Sequence, residues 1–140
     1  MMRKLDNRGA AAFEFVLVFV ALFTLIFAIF DLGRYAITLQ SLRTLASAGA
    51  RATMIRCYAP DVTNNNTSPS GCTDINTYLP VAQRKNVAPF LYLGGLTPTM
   101  TAGSSSNNLT ITASQTAFKM LMPIWGTKLN APSASTMIPF

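Results

Sequence analysis

GAAAFEFVLVFVALFTLIFAIF, the stretch from Gly9 to Phe30, is apolar throughout except for Thr24 and a single carboxylate, Glu14. At about 1.5 Å per residue, a helix from Ala10 to Phe30 spans roughly 31 Å, close to the thickness of a bilayer's hydrocarbon core. Leu, Phe, Val and Ile fall around its whole circumference, so no polar face is kept for water. A core helix of a soluble domain is the competing reading. It fails because the remaining chain is too short to cover so long an apolar run.

Glu14 is the anomaly in that run. An ionised carboxylate near a bilayer's centre costs on the order of 2.5 to 3.5 kcal/mol, less near the interface, so a charge retained inside a span marks function. It lies about one turn inside the apolar stretch, near the helix start, where unpaired backbone N–H groups and any α-amino group concentrate positive charge. A cut after Gly9 gives Ala10 such an amine. Because the carboxylate projects away from its own helix, the amine of a neighbouring subunit is its more natural mate. Snorkelling of Glu14 to the headgroups is the alternative.

Gly9, Ala10 to Phe13, Glu14 and the aromatic Phe15, behind a short basic leader, resemble the processing site of type IV prepilins. More narrowly, GAAAFEF followed by DLGRYAITLQ and SLRTLASAGARATMI is similar to the TadE-like family, the minor pilins or pseudopilins of tight-adherence (Flp) pilus systems, over about residues 3 to 56. The family commonly has a smaller residue than Phe13 and often a glutamate in place of Asp31. The resemblance implies cleavage between Gly9 and Ala10 by prepilin peptidase, recognition through Glu14 and Phe15, and contact with other pilins and the assembly platform. A role in priming or capping the fibre, and so in adhesion, is implied by the resemblance alone.

The 140 residues carry a formal charge of +6, with 50% hydrophobic and 11% charged side chains, a balance that fits a membrane protein. Setting aside Arg3, Lys4, Arg8 and Asp6 of the leader leaves eight basic and four acidic side chains, scattered and without a basic stripe interleaved with aromatics. Nucleic acid is therefore not an expected partner. Arg3, Lys4 and Arg8 directly precede the span and, by the positive-inside tendency, keep the N-terminus cytoplasmic. The expected location is the bacterial inner membrane, single-pass, with an extracytoplasmic C-terminus and the extracellular pilus as a further destination. A secretory signal shares the basic start, but this apolar run is too long for a usual one, and the tempting Ala46-Ser47-Ala48 lies far beyond its end.

The expected fold is α+β: a basic leader at 1–9, a transmembrane helix at 10–30, its extracytoplasmic continuation at 31–56, and a small head at 57–140. Asp31 and Arg34 share a helical face and can form a modest ion pair or stand as two solvated charges. Ile37, Leu42, Leu45, Gly49, Ala52 and Ile55 sketch an apolar face on one helix reaching Arg56. The small residues of LASAGARA invite close packing, against the protein's own sheet before another subunit.

Cys57 and Cys72 bracket YAPDVTNNNTSPSG, a loop without helical or strand periodicity. Outside the cytoplasm the pair reads as a disulfide, with two free thiols as the alternative. Asp74 is a candidate helix cap. Pro80 to Leu93 reads either as one short helix or as two turns meeting at Pro89, ended by Gly94-Gly95. Leu96–Ala102 and Leu109–Phe118 alternate as an antiparallel hairpin, and Met137-Ile138 is a candidate last strand. Met120, Leu121, Met122, Ile124 and Trp125 form an apolar cluster that reads as core, then subunit contact, then a surface resting on the membrane.

The sequence has no histidine, and Asp31, Asp61 and Asp74 are isolated, so no catalytic triad, carboxylate pair or metal set is expected. Neither an enzyme, a cofactor nor a small-molecule substrate is anticipated. The rival to a pilin is an uncleaved single-span anchor whose head binds another envelope component.

Overall fold

The computed structural model describes residues 8–64 and 71–139. Arg3 and Lys4 of the leader lie outside the described residues. Helix α1, Arg8–Thr53, runs for 46 residues and passes without a break into a π-helical turn, Met54–Tyr58, and then into α2, Ala59–Thr63. The helix was expected to end at Arg56, with the following segment irregular. It continues because Pro60 falls in the first turn of α2, where a missing N–H leaves no bond unmade.

Two halves of α1 differ in what covers them. From Ala11 to Phe30 the side chains are exposed or at most half-buried, with Phe13, Val18 and Phe30 each above 65%. Burial begins at Asp31 and recurs at Thr38, Leu42, Leu45, Ala46, Gly49, Ala50 and Thr53, a stripe at helical spacing. That stripe is rotated from the expected face, for Ile37 and Ile55 are 51% and 73% exposed. Thr38 and Thr53 take their place because each hydroxyl donates to the carbonyl four residues back, Arg34 at 2.8 Å and Gly49 at 3.0 Å, and leaves its methyl group to pack.

A three-stranded antiparallel sheet in the order β1-β2-β3 crosses this stripe: β1 is Thr99–Ser104, β2 Asn108–Ser114 and β3 Ser133–Pro139. Alternation in β2 turns Leu109, Ile111 and Ala113 inward, and the register pairs Met100 with Ala113, Ala102 with Ile111 and Leu109 with Ile138. The expected hairpin is present with shifted ends. β2 stops at Ser114, and Gln115 and Phe118 instead form a buried turn. The candidate strand at Met137-Ile138 extends to seven residues, completing a sheet that two strands could not sustain.

The core joins Leu42, Leu45, Ala46 and Ala50 of α1 to Ile75, Leu79, Leu91 and the inner face of the sheet, so the small residues of LASAGARA do meet the protein's own sheet. The closest approach is at Gly49, where an added Cβ would stand 2.6 Å from Met100 Cε and 3.1 Å from Ile111 Cγ2. In chain order, α2 is followed by α3, Ile75–Tyr78, whose N-cap Asp74 accepts from Thr77 N–H, and α4, Val81–Val87. A 3-10 segment, Pro89–Gly95, follows, so the two-turn reading with a junction at Pro89 holds; Gly94 and Gly95 end it at φ of 67° and 76°. Arg84, 5% exposed, donates to Leu79 O at 2.7 Å, Asn76 Oδ1 at 2.7 Å and Ile75 O at 3.2 Å, and so closes the carbonyl end of α3.

Candidate functional site

Gly9 stands in the first described turn of α1, with nothing among the described residues within 4 Å of where a Cβ would lie. Glu14 and Phe15 follow one turn later, both exposed. Thr24, the other polar residue of the apolar run, is satisfied by its own helix through a 2.7 Å bond to Val20 O. Glu14 has no cation at ion-pair distance among the residues whose side chains are described. Beside it rises a ladder of aromatic rings, Phe15, Phe19, Phe23 and Phe27, with successive centroids 5.7, 4.2 and 6.0 Å apart. The four-residue spacing of these phenylalanines places them on one face of the helix.

Twenty-one residues from Ala10, where the apolar run ends, Asp31 does something that its i,i+3 partner does not explain. The carboxylate is 2% exposed and accepts the backbone N–H groups of Leu121, at 3.0 and 3.1 Å, and of Met122, at 3.0 Å, while Arg34 Nη1 stands at 3.3 Å. Burial alone pushes this carboxyl up. The N–H groups of Met122 and Leu121, and then Arg34, outweigh that and hold it below the ordinary carboxylate range. The indole N–H of Trp125 also favours the charge, although it is a buried donor outside hydrogen-bond geometry.

Asp31 therefore clasps the excursion between β2 and β3 against the base of the head. The same excursion is tied at its neck by Ala131 N–H to Phe118 O at 3.0 Å and by Met120 N–H to Asn130 Oδ1 at 2.9 Å. Arg34 lies 5.3 Å from the centre of the buried Phe118 ring, so one guanidinium serves both the carboxylate and the aromatic. The expected i,i+3 pair of Asp31 and Arg34 is present, the alternative of two solvated charges is not, and the backbone clasp on Leu121 and Met122 comes in addition to the pair. No local signal pointed to the clasp, since the partners lie 90 positions apart.

The apolar cluster that follows is not core, as was first expected. Leu121 and Ile124 are 75% and 60% exposed, because the clasp spends the local backbone on Asp31 and leaves their side chains outside the helix-sheet sandwich. Cys57 and Cys72 are bonded to one another, with Cα atoms 5.8 Å apart. Asp61 Oδ2 is 3.7 Å from each sulfur. With both sulfurs in the disulfide neither is a thiolate, so Cys57, Asp61 and Cys72 form a contact and not a ligand set.

The chain thus has the architecture of a single helix, long and apolar enough to cross a membrane near the N-terminus, whose further half carries a small α+β head. The family model of TadE-like protein matches residues 9–51, so the helix from the glycine through the apolar run and most of its buried stripe is similar to that family, as the resemblance implied. That family points to a protein associated with tight-adherence pili. No curated protein and no solved structure matches the chain.

Proposed function

We propose that this chain is a minor pilin or pseudopilin of a tight-adherence pilus, made as an inner-membrane precursor and cut between Gly9 and Ala10 by prepilin peptidase. The observation that carries the reading is Glu14: a lone carboxylate on a helix segment that the head leaves wholly uncovered, in the TadE-like region of the chain. A membrane-spanning surface with no partner in its own fold is available to other helices, and an ionised group on it penalises neighbours that do not bring a cation to the same depth. The freed Ala10 amine of an adjacent subunit is such a cation. Glu14 then sets register, while Phe15 and the ring ladder above it supply apolar contact.

Replacing Glu14 with Ala tests this. The variant is expected to insert in the membrane as before and to fail in pilus assembly, scored by counting pili on cells whose own copy is deleted. Normal piliation by Glu14→Ala cells would sink the register role.

A further inference from the structure

We propose that the excursion from Lys119 to Lys128 is a membrane-resting lip: Leu121, Ile124 and the ring of Trp125 lie in the headgroup layer of the same bilayer that α1 crosses. The inference rests on the reading of residues 10–30 as the span.

Its first support is height. Asp31 adjoins Phe30, the last residue of the apolar run, and holds Leu121 and Met122 by their N–H groups. A helix rises about 1.5 Å per residue, so the clasp sits within a few ångströms of the hydrocarbon boundary, inside a headgroup layer roughly 5 to 7 Å deep. Any side chain that this segment exposes is at interfacial depth.

Its second support is exposure. Leu121 and Ile124 are 75% and 60% exposed, and Ile29, Phe30 and Leu32, the helix residues flanking Asp31 in sequence, are 61%, 69% and 40% exposed, so lip and helix both present apolar surface at the level of the clasp.

The third is chemistry. Trp125 is the sole tryptophan of the chain, half-buried, with its N–H turned into the protein, and tryptophan is enriched where one end is apolar and the other wet. Lys119 and Lys128 flank it and are exposed. No Asp or Glu follows Asp74 in the sequence, and the carboxylate that holds the lip, Asp31, is 2% exposed and paired with Arg34, so anionic headgroups meet no exposed side-chain carboxylate on the excursion. The occupant these features select is a bilayer carrying anionic lipid.

The full chain, reconstituted in phosphatidylcholine/phosphatidylglycerol vesicles, carries its own probe in Trp125. Its emission is expected to be quenched about twofold or more by lipids brominated close to the headgroup, less by lipids brominated at the chain ends, and to be unchanged when the protein is diluted about tenfold in lipid. A second protein, Trp125→Phe with Ile124→Trp, places the probe on the exposed position and is expected to give the same depth ranking. Alkaline carbonate extraction is run on both. Chains that resist extraction yet show no quenching at either position overturn the lip alone, and quenching that emerges only on dilution overturns it in favour of a second copy. Chains released by carbonate overturn the span itself, and the lip with it.

Discussion

Asp31 is a charge nearly out of water whose partners favour its ionised form, and this makes it the residue on which the attachment of the excursion depends. Asp31→Asn keeps the shape and removes the charge from two backbone bonds. It is expected to cost about 1.5 to 3 kcal/mol of local docking, the usual worth of hydrogen bonds to an ionised group. The check is trypsin at neutral pH, which should cut faster at Lys119 and Lys128 in the variant. The sign of the pH effect follows from a carboxyl held below its ordinary value. Its stabilising contribution is complete above the ordinary value of about 3.9 and is lost as pH falls through the lower folded value. Trp125 fluorescence should therefore be flat from neutral pH down to about pH 4 and change below it, and Asp31→Asn should lack that change. A transition near neutral pH would contradict the assignment.

At the scale of elements, α1 is shaped by what its sheet-facing stripe leaves room for. Gly49 is the tightest point. Gly49→Ala gains about 1 kcal/mol of helix propensity and meets the movable end of Met100, so it is expected to be nearly neutral. Gly49→Leu overfills the same space against Ile111 and should lower stability by about 1 to 3 kcal/mol, read as a drop in the thermal midpoint of the detergent-solubilised protein. The Cys57–Cys72 bridge closes a 15-residue separation, and the double replacement by serine is expected to remove around 3 kcal/mol, visible in the same melt. Element types were legible where local pattern decides them: the unbroken apolar run, the Thr-rich alternation of β1 and β2, and the proline at the junction of α4 with the 3-10 segment. What was hidden depends on distant contact. Nothing near Ile37 or Ile55 tells that Thr38 and Thr53 will be buried instead, because a threonine satisfied by its own helix looks polar in sequence and behaves as valine in the fold. In the same way Leu121 looks like core until Asp31 takes its N–H.

For the whole molecule, the division of α1 is the central fact: a lower half that its own fold leaves bare and an upper half that organises everything else. Of the candidate site, Glu14 stands out because an acid in an apolar run is visible without any tertiary information, while Gly9 and Phe15 come from the resemblance. The clasp was not legible, since it joins residues 90 positions apart, whereas a surface resting on the membrane was the last of three readings that the apolar cluster left open. Under the proposed reading, a bare span with one carboxylate is suited to trading lipid neighbours for helices. The most direct test is the intact mass of the chain extracted from membranes of cells that contain prepilin peptidase. The expected product begins at Ala10, with the longer form accumulating when the peptidase is absent; a chain that still carries Met1 to Gly9 in peptidase-containing cells with normal pili would contradict the pilin reading.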